Sequence, residues 1–123
     1  MTSAAWLATG AVAGGIGVAL GAFGAHGLKS RVGPDQLAIF ETGVRYHLVH
    51  ALALLAVAWA AERWPGTWTT LAGWAFLLGI LIFSGSLYLM TLAGARWLGA
   101  ITPIGGLSFL LGWAALFIAA LRG

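Results

Sequence analysis

Three histidines, His26, His47 and His50, carry most of the reactive chemistry available to this chain. His47 and His50 are three residues apart, so on a helix their rings lie side by side and could both reach one small ligand. With His26 they supply three imidazole nitrogens, a number that zinc or copper accepts. Two histidines on different helices would also suit a haem. No carboxylate is placed to complete a metal set, because Glu41 projects from the opposite face of the same helix. The commoner arrangement is a set of histidines bonded to hydroxyls and to free carbonyls, with proton or solute handling as the other option. The hydroxyls are present in Ser84, Ser86, Tyr88, Thr91 and Thr102, with Arg96 nearby. A polar pocket of His26, His47, His50, Ser84, Tyr88 and Thr102 is therefore expected, and no catalytic residue is. The chain has no serine–histidine–acid set, no phosphate loop and no cysteine, which removes disulfides and thiol chemistry.

The elements that must position these groups are four apolar runs, at about residues 4–25, 44–61, 68–92 and 97–121. Hydrophobic residues are 61% of the sequence and charged ones 7%, more apolar surface than a soluble domain of 12.7 kDa can bury. Each run approaches the ~20 residues that a helix needs to cross ~30 Å of hydrocarbon. The expected fold is all-α, a single integral membrane domain over 1–123 built as a four-transmembrane-helix bundle. The first run is read as a retained span and not as a signal peptide, since no Lys or Arg precedes it and it exceeds an ordinary apolar signal core. Every polar-pocket residue then falls toward one end of the bundle. His50 and Thr102 are about 8–9 Å in, at 1.5 Å per residue. An ionisable group at such depth marks a functional site or a buried hydrogen-bond knot.

Four spans put both termini on one side, with residues 62–66, and the two remaining loops on the other. Lys29, Arg31, Arg45 and Arg96 lie on the loop side, against Arg63 and Arg122 on the terminal side. The positive-inside rule then places the loops in the cytoplasm and the termini outside it. Trp6, Trp59, Trp64 and Trp68 lie near the terminal side and read as a headgroup belt. In the long loop, Gly33-Pro34-Asp35-Gln36 reads as a helix start. Leu37, Phe40, Val44 and Leu48 follow on one face. A short interfacial helix before the second span is expected there, turning into the membrane at Gly43, with Glu41 and Arg45 spaced for an ion pair.

Gly10, Gly14, Gly17, Gly21 and Gly24 recur every three or four residues and form one stripe of the first span. Lipid supplies no hydrophobic force between helices, so close approach through such small residues drives their association. The partner, another span or another copy of the chain, is left open, and a homo-oligomer is expected. A weaker version of the stripe lies in the fourth span, where Pro103 should kink or open the helix near its start. The six Lys and Arg side chains form no patch, which argues against nucleic acid.

Several segments together resemble a known family. They are Gly24-Ala25-His26-Gly27, then Phe40-Glu41-Thr42-Gly43-Val44-Arg45-Tyr46-His47 running into His50-Ala51-Leu52-Ala53-Leu54-Leu55. The stretch from Gly79 to Tyr88 and Ala100-Ile101-Thr102-Pro103-Ile104-Gly105-Gly106 complete the match. The chain is similar to the small bacterial inner-membrane proteins of the YgdD/YwdK type, domain of unknown function 423. The resemblance implies a four-span bundle in the bacterial plasma membrane and supplies no catalytic residue. Three function classes follow. The first is a non-catalytic binding or assembly protein that holds lipid or a membrane partner, without a cofactor. The others are an oligomeric small transporter or channel, and a metal- or haem-dependent membrane protein.

Overall fold

The computed structural model describes the whole chain, Met1–Gly123, and all of its regular structure is helical. Helix α1 runs Ser3–Ala25, α2 Pro34–Arg63, α3 Thr67–Gly79, α4 Gly85–Ala93 and α5 Thr102–Arg122. Helices α3 and α4 are one continuous third span, joined by a π-helical turn at Ile80–Ser84. Four helices are long and apolar enough to cross a membrane, as the composition requires. Helix α1 is capped by the Thr2 hydroxyl, which accepts from the Ala5 N–H. The third span ends at Gly94, whose φ of 67° is the left-handed conformation that glycine adopts without strain.

Helix α2 is the hub. Helix α1 packs almost wholly on α2, while α5 packs on α3 and the π turn and touches α2 only lightly. The core lies where α2 meets the third span, around Leu54, Val57 and Phe76, all fully buried. At the terminal end the Ser3 hydroxyl donates to Glu62, tying the start of α1 to the end of α2.

Four local expectations change. The second span is not preceded by a separate interfacial helix. Pro34 does open a helix, but that helix continues unbroken through Gly43 to Arg63. Gly43 is there for packing, since a Cβ on it would stand 2.9 Å from Cε1 of Tyr88. Pro103 kinks nothing. It lies in the first turn of α5, where its missing N–H costs no helical bond, and a 3-10 turn at Arg96–Ala100 leads into it. Trp6 is no belt residue. Its ring is buried and covers Gly73 of α3, where an added side chain would overlap it. Trp59 does face outward. Glu41 and Arg45 are both exposed, one turn apart, and form no ion pair. Two solvated side chains gain too little from pairing to be held in one geometry.

Candidate functional site between the first and third spans

The glycine stripe of α1 is where the site begins. All five glycines face α2, so the partner is within the chain. A Cβ on Gly10 would meet Leu55 at 2.8 Å, one on Gly17 would meet Leu48 at 2.7 Å, and one on Gly24 would meet Phe40 at 3.0 Å. Gly21 faces Val44 at 3.2 Å and Gly14 faces Ala51 at 3.9 Å. This closeness brings the backbone of α1 within reach of a side chain on α2. His47 Nε2 lies 2.8 Å from the carbonyl oxygen of Ala13, the carbonyl whose helical partner is the N–H of Gly17. A side chain at position 17 would stand over that oxygen, and His47 Cδ2 is already 3.3 Å from where its Cβ would be.

The donor and acceptor roles follow from that contact. A carbonyl only accepts, so His47 Nε2 carries the proton and Nδ1 accepts from the Tyr88 hydroxyl at 2.8 Å. His47 thus joins α1, α2 and α4 as a neutral imidazole. His50 is bonded just as completely, elsewhere. Its Nδ1–H donates to the Tyr46 carbonyl at 2.7 Å, and its Nε2 accepts from Trp113 Nε1–H at 3.0 Å. Its ring stacks on Phe109, with 3.6 Å between centroids and 9° between planes. Ala13 and Trp113 lie near the middle of α1 and α5, so both histidines are at mid-height of the bundle. That is deeper than a span beginning at residue 44 implies, because α2 starts three turns earlier.

The pocket read from the sequence therefore resolves into separate interhelical bonds. Ser84 donates to the Gly43 carbonyl at 2.7 Å. Ser86 and Thr102 share a hydroxyl contact of 2.6 Å. His26 is exposed in the turn after α1 and joins nothing. Neither Thr102 nor Tyr88 is the partner of His50. The three histidines do not converge, no cluster of three metal-binding side chains forms, and all four ring nitrogens of His47 and His50 are engaged. A three-imidazole metal site or a bis-histidine haem does not fit this arrangement. Every buried side-chain nitrogen or oxygen has a partner.

Beside the His47–Tyr88 pair lies an open groove of about 550 Å³ between α1 and the third span. Val12, Ile16 and Leu20 of α1 form one wall, Leu77 and Leu81 form the other, and the buried His47 and half-buried Tyr88 lie at its back. The groove exists because α1 and the third span are both held against α2 and meet each other mainly through Trp6, at the terminal end. Gly85 keeps it wide, since a Cβ there would meet no atom within 4 Å. The π turn, with the Gly85 N–H bonded to the Ile80 carbonyl five residues back, lies along the same wall. Such turns occur disproportionately at functional sites.

Trp113 escaped the sequence reading, and so did Ser108, which donates to the Ala75 carbonyl at 2.7 Å. A signal for Trp113 was present. An indole N–H in the middle of a span, far from the headgroups, must find an acceptor within the protein.

Comparison with known proteins places the chain among membrane proteins of one kind. A family described as Protein of unknown function (DUF423) matches residues 20–106. The UPF0382 membrane protein YwdK of Bacillus subtilis is 42% identical over 114 residues, 92% of this chain and 93% of the relative. The UPF0382 inner membrane protein YgdD of Escherichia coli K12 is 42% identical over 122 residues, 99% of this chain and 93% of the relative. A UPF0382 membrane protein of Staphylococcus aureus, SAB0533, is 39% identical over 113 residues, 92% of each chain. No solved structure matches. With a family match over most of its length and relatives aligned almost end to end, this multi-pass membrane protein belongs to the DUF423 family.

Proposed function

We propose that this protein is a non-catalytic binding protein of the bacterial plasma membrane that holds an apolar chain, such as a lipid acyl chain, in the groove between α1 and the third span. The groove itself carries the reading. It is apolar along both walls, open toward the bilayer, and kept open by a glycine with free space around it. A volume of about 550 Å³ lies within the range of ligand pockets. His47 holds Tyr88 in place at the back, and the Tyr88 hydroxyl oxygen, its proton committed to His47, can still accept a bond from a hydroxyl or N–H group that reaches it. The reading needs no cofactor and no reaction. Placement in the plasma membrane is supported by relatives named as membrane and inner membrane proteins. Self-association belongs to the same proposal. Since the stripe of α1 is used inside the chain, a subunit contact must form through larger outward side chains such as Leu107, Leu110 and Phe117, all exposed.

Gly85→Leu is the direct test, because it fills the groove without a clash. The probe is phosphatidylcholine carrying a photoactivatable acyl chain, incorporated into nanodiscs with the protein. Crosslinks are expected along residues 12–20 and 77–88, and to fall several-fold in Gly85→Leu. Labelling of Leu107 and Leu110 on the outer face of α5 should stay constant. Equal labelling of the groove in both proteins would show that no chain resides there.

A further inference from the structure

The second cavity lies at the terminal end of the bundle and plays no part in the groove. It has a volume of about 230 Å³ and is enclosed by the C-terminal ends of α2 and α5 and the start of α3. Arg63 and Arg122 both line it, with Trp64, Thr67, Trp68, Thr69 and the main chain of Gly123, and no acidic side chain does. Glu62, the nearest acid in sequence, borders a different depression, where it is bonded to Ser3.

Span-end arginines ordinarily snorkel separately into the headgroup layer. Here arginines from two different helices line one cavity. Arg122 is held over the Trp68 ring, 5.9 Å from its centroid. The Thr69 hydroxyl is already committed to the Trp64 carbonyl at 2.6 Å. Polar donors therefore surround a space that contains no anionic side chain. The start of α3 adds to this, because it lacks a side-chain cap. Its first helical bond is from the Thr70 N–H to Gly66, so the N–H groups just before it are left for another acceptor.

We propose that this cavity binds a phosphate group, with Arg63 and Arg122 as its two cationic arms. The planar guanidinium fork suits phosphate oxygens, and flexible arginines on two helices lining one cavity can both turn to one tetrahedral anion. Two sources share this chemistry, the headgroup of an anionic phospholipid and free inorganic phosphate. The cavity lies at the end of the spans, at headgroup level. It is independent of the groove and stands or falls separately.

The experiment measures thermal stability of the full-length protein in micelles doped with phosphatidylglycerol, in micelles doped with phosphatidylcholine, and with inorganic phosphate added. The wild-type midpoint should rise with phosphatidylglycerol relative to phosphatidylcholine, or with free phosphate. The two arms identify the source. In the double variant Arg63→Gln and Arg122→Gln that increment should vanish, with an apparent affinity at least about tenfold weaker. Arg63→Lys with Arg122→Lys keeps the charge but not the fork, and should retain an intermediate increment. The midpoint of each variant in phosphatidylcholine reports whether it still folds. A wild type indifferent to both phosphatidylglycerol and phosphate overturns the proposal. So does a phosphatidylglycerol increment that persists unchanged in the glutamine variant.

Discussion

His50 and His47 illustrate what burial in a membrane protein does to an imidazole. Neither ring has a nitrogen left over, because hydrocarbon offers no water to complete the bonding. At that depth an ionisable group such as His50 commonly marks a functional site. Its full set of partners within the chain points instead to a structural role. Trp113→Phe should strand His50 Nε2 and cost about 0.5–2 kcal/mol, the range between membrane double-mutant cycles and an unsatisfied buried acceptor. His50→Leu should cost at least as much, since it strands the indole N–H and removes the ring that stacks on Phe109. Thermal denaturation in detergent checks both. If His50→Leu were as stable as the parent, the bond to Trp113 would be contributing nothing.

Helix packing here depends on what stands opposite each glycine, and the glycines differ sharply. Gly105 faces the backbone of Phe83 in the π turn, with Phe83 Cα only 2.7 Å from where a Cβ would be. Gly17 faces the side chain of Leu48, which can turn aside. Gly15 faces open space. Alanine substitutions should therefore rank in that order. Gly105→Ala should destabilise by about 1–3 kcal/mol through overpacking that the backbone cannot relieve. Gly17→Ala should cost less. Gly15→Ala should be neutral or stabilising by up to about 1 kcal/mol, because alanine loses less entropy in a helix. Melting temperatures of the three variants under one condition decide this. A flat series would mean that the close approach of helices contributes little to stability. The more drastic Gly17→Leu should lower stability without changing oligomer size, since its stripe serves an intramolecular contact.

At the scale of the whole molecule, four spans and the distribution of six cationic side chains orient the protein. Lys29, Arg31, Arg45 and Arg96 on the loop side outnumber Arg63 and Arg122, so both termini are predicted to face away from the cytoplasm. A reporter fused after Gly123 should be active in its periplasmic form and silent in its cytoplasmic form; the opposite result would invert the assignment. The arrangement about α2 matters equally at this scale. With α1 packed on α2 and α5 packed on the third span, the groove and the arginine-lined cavity are well separated. Gly85→Leu and the arginine variants should therefore act without affecting each other.

The number of long apolar helices, the helix start at Pro34 and the glycine stripe were all legible in the sequence. Length, hydropathy and residue spacing are local properties, and lipid enforces them by requiring each span to satisfy its own backbone. The family resemblance rests on the same segments. Which groups meet across the bundle was not legible, because that depends on the rotation of each helix about its axis. His47 and His50 are neighbours along α2, yet one faces α1 and α4 while the other faces α5. Three residues leave the two side chains about 60° apart around the helix, which is enough for each ring to meet a different neighbouring helix, so proximity in sequence and depth did not make one pocket. Gly43 and Pro103 misled for a related reason. Each can bend a chain, but in the fold Gly43 admits the ring of Tyr88 and Pro103 opens α5. The groove belongs wholly to the tertiary structure. It is the space left when two helices are each held tightly to a third and only loosely to each other, and no single helix carries a mark of it.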